Sequence, residues 1–280
     1  MTMLSINTNV GALKAASASY SVNKSMETSM QRLSTGKRIN SSADDAAGHA
    51  IANRMTAEIQ GLKQSIRNAA DAQALMGTAE GAIEEIQVML LRMRELAVQS
   101  ANGTNSATDR ASIELEAAQL EAEITRISDN TTFAGQNILD GSLSGGLTIA
   151  TFQIGADSGQ TLALTIPGMA TSEATIGYVA ALALNTMTLA GSAITQLDAA
   201  LSGVASVRAD IASKMNRLDH TIANLDNVVT NLSQAKGRIM DADFATETAN
   251  LARTQVLQQA SMAMLSQANA SKQNILALFQ

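Results

Sequence analysis

Residues 194–232, ITQLDAALSGVASVRADIASKMNRLDHTIANLDNVVTNL, decide the fold. Ile194, Leu197, Leu201, Val204, Ile211, Met215, Leu218, Ile222, Leu225, Val229 and Leu232 fall three and four apart, missing only at Arg208, beside Val207. Sustained over about five heptads, that spacing is the seam of a coiled coil. Each seam residue contributes roughly 1.5–3 kcal/mol once buried. An isolated helix cannot bury them, so a partner helix is required.

The partner stands earlier in the chain. From about Ala43 to Ser100, the residues Met55, Ile59, Leu62, Ile66, Ala69, Met76, Ala79, Ile83, Ile86, Leu90, Met93 and Ala97 form one apolar stripe with a gap at Gln73. At ~1.5 Å per residue such a helix would run ~85 Å. ANGTNS (101–106) then makes a turn. A further helix is expected from about Ser106 to Asn130, with Ile113, Leu120, Ile124 and Ile127 inward. GLTIATFQIGADSGQTLALTIPG (146–168) alternates with period two through Ala150, Phe152, Ile154 and then Leu162, Leu164, Ile166, which predicts a β-hairpin ended by Pro167 and Gly168. Helix is expected again from about Ile176.

Before the long stripe, Ser5 to about Leu33 reads as a weak helix broken by Gly36. In STGKRINSSADDAAG (34–48), Ser41 or Ser42 is the expected cap of the next helix, with Asp44 and Asp45 against its N-terminal dipole. The sum is a mostly α chain: an antiparallel long-helix coiled-coil rod, a small β-hairpin region, and terminal helices paired at one end. Both terminal stretches are nearly free of charge. Residues 1–22 contain only Lys14, and TQVLQQASMAMLSQANASKQNILALFQ (254–280) contains only Lys272. Two such segments side by side bury too little to order alone. Packed among copies of themselves they would make a dense, dry layer, which points to a self-assembling subunit.

Composition narrows the function classes. The 280 residues include no Cys and no Trp, one Pro, two His, two Tyr and four Phe. Disulfides and Cys-ligated metals are therefore excluded, and few aromatics suit thin helix–helix seams. The net charge of −6 disfavours nucleic acid. No stretch approaches the roughly 20 apolar residues that cross a bilayer, so membrane insertion is not expected. MTMLSINTNV lacks the basic start and apolar middle of a secretory signal. Export, if it occurs, is expected by a route without a cleaved signal peptide.

Four blocks then carry a resemblance to bacterial flagellin: SINTNVGAL (5–13), RLSTGKRINSSADDAAGHAIANRM (32–55), MRELAVQSANGTNS (93–106) and GRIMDADFATETANLARTQVLQQASMAMLSQAN (237–269). Four blocks in the family's order are a specific signal. The resemblance implies a short form with two domains only, termed D0 and D1. D0 would comprise residues 1–42, with its spoke linker, and 239–280. D1 would comprise helices over 43–140, a hairpin and short variable segment over 141–190, and a returning helix over 191–238. It further implies polymerisation into the hollow helical filament used for swimming, in the extracellular space, after type III export. The implied partners are other copies of the chain, the hook–filament junction and filament cap proteins, an export chaperone and a vertebrate Toll-like receptor. Leu91, His49 and the LALFQ finish depart from the family's usual residues.

The candidate residues follow. Inner-tube assembly is expected to use Leu4, Ile6, Leu13, Val256, Leu257, Met264, Leu265, Ile275 and Leu278. Arg92, Leu96 and Glu116 match a filament-contact surface that a Toll-like receptor reads in some flagellins; an exposed Arg and Glu around an apolar Leu suit a protein contact. The plainer reading is a solvated helix face. Asp44 with Asp45, and Asp241 with Asp243, read as helix caps rather than acid pairs, because adjacent helical residues do not face each other. His49 and His220 lack any metal-ligand spacing. Met55, Met76, Met93 and Met215 follow the stripes and read as core. No catalytic constellation and no cofactor are expected. The competing readings are a hook–filament junction protein, a secreted ligand whose main role is a host receptor, and an enzyme on the same scaffold. Filament length separates the first from a filament subunit.

Overall fold

The computed structural model describes residues 8–142, 149–171, 175–177, 179 and 182–277, with backbone only for Ile149 and for 272–277. The described residues form helices α1 (Val10–Thr35), α2 (Ala46–Ser100), α3 (Ala107–Asn130), α4 (Met187–Met240) and α5 (Phe244–Ala277), with strands β1 (Thr132–Phe133), β2 (Gln136–Asn137), β3 (Ile149–Gln153) and β4 (Thr161–Thr165) between α3 and α4. The chain divides into two compact units, residues 60–229, and residues 1–59 with 230–280.

In the 60–229 unit, one continuous cluster holds the core. It takes Met76, Ile83, Ile86, Leu90, Met93 and Leu96 from α2, Ile113 and Ile124 from α3, and Leu197, Val204, Ile211 and Leu218 from α4. Apart from Leu96, the α2 and α4 members belong to the two stripes read from the sequence. Their small residues, among them Ala69, Ala79, Ala97, Ala193 and Ala200, are also buried and let the backbones approach. The gap at Arg208 has a physical cause. Its guanidinium reaches α2, donating from Nε to Glu80 Oε1 at 2.7 Å and from Nη1 to Gln87 Oε1 at 2.5 Å. Gln73 donates to Asp219 at 2.5 Å and Arg94 to Asp198 at 2.6 Å. Residues 73, 80, 87 and 94 are one heptad apart, so a polar ladder runs beside the apolar seam and fixes an antiparallel register.

The expected hairpin forms. β3 and β4 pair antiparallel, with Ala150 opposite Leu164 and Phe152 opposite Leu162 on the core-facing side. A second, two-residue hairpin, β1–β2, is tied by a turn in which Ala134 (φ 50°) and Gly135 (φ 81°) are both left-handed, as that tight connection demands. Ala-Gly is a weak hairpin signal, and the sequence reading does not anticipate it.

Two expectations are corrected. Helix does not return at Ile176. Residues 175–177 form a turn, and α4 begins at Met187. Ile176, Val179 and Leu184 are nonetheless fully buried, because irregular chain here covers the core and is tied to it by the Ser100 hydroxyl donating to the Leu184 carbonyl at 2.5 Å. Nor do Ser41 or Ser42 cap α2. Asp45 does, accepting from the Gly48 amide at 2.9 Å, while Asp44 accepts from the Asn40 and Ser41 amides at 3.0 and 2.9 Å. Gly48 leaves room for this cap, since a Cβ there would come within 2.5 Å of the Asp45 carboxylate. α3 starts on a reciprocal capping box between Ser106 and Asp109.

In the other unit, Gly36 (φ 68°) ends α1 in the left-handed cap its sequence calls for. Asp243 restarts helix after α4 by accepting from the Ala245 amide at 3.0 Å and the Thr246 hydroxyl at 2.7 Å. Residues 36–38 and 239–242 are then stitched together. The Arg38 amide donates to the Met240 carbonyl at 2.6 Å, and the Ala242 amide to the Gly36 carbonyl at 3.0 Å.

Candidate functional site

α1 and α5 pair, and the faces they turn to each other run against ordinary amphipathicity. On α1 the covered positions include Ala12, Ala15, Ser19, Val22, Met26, Ser29 and Leu33; on α5 they include Leu251, Thr254, Gln258, Ser261, Leu265 and Ala268. Each set keeps the three-and-four spacing of a helix seam, yet small and polar side chains dominate it. Cross-helix bonds use them. Asn9 Nδ2 donates to the Ala268 carbonyl at 3.2 Å, and Gln258 Nε2 to Asn23 Oδ1 at 2.8 Å. Arg32 lies 3.7 Å from Glu247, whose side chain is 9% exposed.

Many of the large apolar side chains are left exposed instead. Val10, Leu13, Tyr20 and Met30 are exposed on α1, and Phe244, Val256, Leu257, Met262 and Met264 on α5. Leu13, Val256 and Met264 are each more than three-fifths exposed, at 63%, 66% and 64%. Apolar side chains are expensive to leave in water at about 25 cal/mol per Å², and a surface made of them marks an interaction site. An apolar groove of about 650 Å³ runs along the pair, lined by Gly11, Ala15, Ala18, Met264 and Ala268 among others.

The sequence-predicted assembly residues divide accordingly. Leu13, Val256, Leu257 and Met264 are each exposed. Leu265 is half-buried against α1. Leu4, Ile6 and Leu278 lie outside the described residues, and so does the side chain of Ile275. Tyr20, Met30 and Met262 share the exposed surface and were not singled out by sequence reasoning. Their signal was available, since they fall outside the three-and-four spacing of the α1–α5 seam.

Of the second predicted set, Arg92 and Glu116 are brought together. Arg92 Nε and Nη2 donate to Glu116 Oε1 at 3.0 and 2.8 Å, and Nη1 donates to Glu95 at 2.6 Å. Hydrogen bonds to Glu116 and then Glu95 raise the Arg92 pKa above its ordinary value. Leu96 does not join them. It is 1% exposed and belongs to the core, because its place on α2 continues the Leu90–Met93 stripe. The exposed apolar neighbours on α2 and α3 are Val88, Leu91, Val98 and Leu115. Among the described residues no His, Asp and Glu cluster could hold a metal, and no helix is long and apolar enough to cross a membrane.

The family model for the bacterial flagellin N-terminal helical region matches residues 6–144, and that for the C-terminal helical region matches 194–279. The chain belongs to the bacterial flagellin family. A flagellin of Halalkalibacterium halodurans is 42% identical over 276 residues, covering 98% of this chain and 99% of that relative. Among solved structures, Bacillus cereus flagellin is similar with a TM-score of 0.50 at 35% identity, over 61% of this chain and 94% of that one. A putative flagellar hook-associated protein from Vibrio parahaemolyticus has a TM-score of 0.62 at 14% identity, over 71% of this chain and 100% of that one, which is a likeness of fold alone. Flagellins are structural subunits of the bacterial flagellar filament, and this is the role of the chain.

Proposed function

We propose that the chain polymerises with copies of itself through the outward apolar face of the α1–α5 pair, forming the inner wall of a hollow extracellular filament. The observation that carries this reading is the inverted amphipathicity of the pair. Its intrachain seam uses Ser19, Ser29, Thr254, Gln258 and Ser261, while Leu13, Val256, Leu257 and Met264 stay in water. A helix pair built to stand alone would do the opposite. In this reading residues 1–42 and 239–280 form D0, and 43–238 form D1. The Arg92–Glu116–Glu95 cluster lies on a D1 contact face that a Toll-like receptor would also meet. The hook–filament junction and filament cap proteins would meet the ends of the polymer, and an export chaperone the tail before assembly.

Seeded polymerisation followed by negative-stain electron microscopy tests this. The full chain is expected to give long tubes, and a version ending before Thr254 none. Met264→Gln with Val256→Gln should lengthen the lag without changing the helical content of the monomer. Tubes from the truncated chain would sink the account of the tail. Stubs of a few copies from the full chain would favour a junction protein.

A further inference from the structure

Asn102–Gly103 is the only Asn-Gly pair in the sequence, and it sits at the exposed tip of the α2–α3 turn. Three features of that turn bear on its chemistry. The Asn102 side-chain carbonyl accepts a hydrogen bond from the Thr104 amide at 3.2 Å, which folds the side chain back along the following backbone. The Gly103 amide donates to no partner among the described residues. A Cβ on Gly103 would meet nothing within 4 Å, and its φ is not left-handed, so the turn is open on that side of Gly103.

We infer that Asn102 is a built-in site of spontaneous deamidation through a cyclic imide with Gly103. The Gly103 amide loses its proton to hydroxide, and its nitrogen attacks Asn102 Cγ. Negative charge develops on Oδ1, where the Thr104 N–H already points, a donor placed where the charge appears. The Cγ–Nδ2 bond breaks and ammonia leaves with a proton from water, closing a five-membered succinimide. Water then opens either imide C–N bond, giving Asp or isoaspartate at position 102. No oxidant, enzyme or cofactor enters the balance.

The turn also gives the product a consequence. The guanidinium of Arg110, 8% exposed, donates to the Ser100 carbonyl at 2.8 Å and the Asn102 carbonyl at 3.1 Å. Isoaspartate routes the main chain through Cβ and Cγ and leaves the former Asn102 main-chain carbonyl as a free carboxylate, which displaces the peptide from the position that Arg110 holds. The related pair Asp140–Gly141 is a poor substitute. Asp140 accepts from the Ser142 amide and hydroxyl and from Asn137, and is held below its ordinary pKa against the opposing effect of burial. An ionised carboxylate is a weak electrophile.

The test is a timed incubation of the full-length protein in mildly alkaline buffer, then tryptic mapping of the Glu95–Arg110 peptide. The expected result is the mass gain of an amide-to-acid exchange at Asn102. The product should split into two chromatographic forms, one of them a substrate for isoaspartyl methyltransferase. Asn105 in the same peptide, whose amide donates to the Gln99 carbonyl at 2.7 Å, should stay intact. Gly103→Ala should suppress the gain while leaving helical content unchanged. Conversion at Asn105 as fast as at Asn102, a single aspartyl product, or an undiminished rate in Gly103→Ala would each overturn the inference.

Discussion

Arg208 offers the sharpest test of how the long helices hold register. It stands where the α4 seam calls for an apolar residue, and it spans to Glu80 at 2.7 Å and Gln87 at 2.5 Å on α2. At that separation and an effective dielectric near 20 the gross attraction to Glu80 is on the order of 6 kcal/mol. Most of it is spent on desolvation and screening, since the Arg208 and Glu80 side chains are 30% and 29% exposed. The net coupling should be about 1–2 kcal/mol. Removing one partner costs more than that, because Glu80 Oε2 is already buried without a hydrogen bond. Arg208→Leu is therefore expected to lose roughly 2 kcal/mol, while Arg208→Leu with Glu80→Leu should return to within about 1 kcal/mol of the parent by filling the seam. Urea unfolding of the monomer, followed by circular dichroism over the full double-mutant cycle, reads both. A coupling within about 0.3 kcal/mol of zero would refute the ladder as an energetic feature. A double variant no better than the sum of its singles would refute the seam reading.

Other perturbations should be as readable. A Cβ on Gly203 would meet the Thr175 carbonyl at 2.7 Å, so Gly203→Ala should destabilise by about 1–3 kcal/mol; Gly191→Ala, with nothing within 4 Å, should stabilise by roughly 0.5–1 kcal/mol in the same urea assay. Acid should unfold the monomer. Hydrogen bonds hold Asp44, Asp109, Asp198, Asp243 and Glu123 below their ordinary pKa values, so their contributions are complete above the unfolded carboxylate range and vanish as pH falls through the lowered folded values. An acid titration of helical content that is flat well below that range would contradict this. Glu121, raised by burial, works in the opposite sense and gains from protonation. Leu96→Ala should cost about 2–5 kcal/mol of stability, as a core truncation does, whereas Leu91→Ala on the exposed face should leave stability nearly unchanged.

The seams were legible because a residue every three or four positions has one physical reading when the partner lies in the same chain. Ile194 to Leu232 and Met55 to Ala97 declare their helices, and the alternation around Ala150 and Leu164 declares its hairpin. What sequence periodicity does not carry is which loop covers the core. Ile176, Val179 and Leu184 look like the start of a helix, and the bond from Ser100 to Leu184 that holds them in irregular form spans residues far apart in sequence. The burial of Leu96 is hard to read for a related reason. The stretch LRMRELAV (91–98) contains Leu91, Leu96 and Val98, and only the α2 stripe phase sends one inward and two outward.

The terminal helices show the limit of that logic and also its use. Stripe counting assumes a single buried face, and on α5 the residues Leu251, Val256, Leu257, Met262, Met264 and Leu265 fall all around the helix. Read as one helix against one partner, they look like a weak element. Read as a helix with partners on several sides, they need no stripe, because every face is destined for burial. The structure separates the two contributions. Leu251 and Leu265 lie with Thr254, Gln258 and Ser261 toward α1, and the remaining large apolar side chains face away. The seam within the chain is thus the weaker, more polar one. In the proposed polymer a strong intrachain seam would consume the apolar residues needed between copies, so a chain that polymerises through this pair requires this division. Swapping the two faces, with Ser261→Leu and Met264→Ser, should tighten the α1–α5 pair in amide exchange and slow seeded elongation. Tighter pairing with undiminished elongation would show that the outward apolar face is not what the copies share.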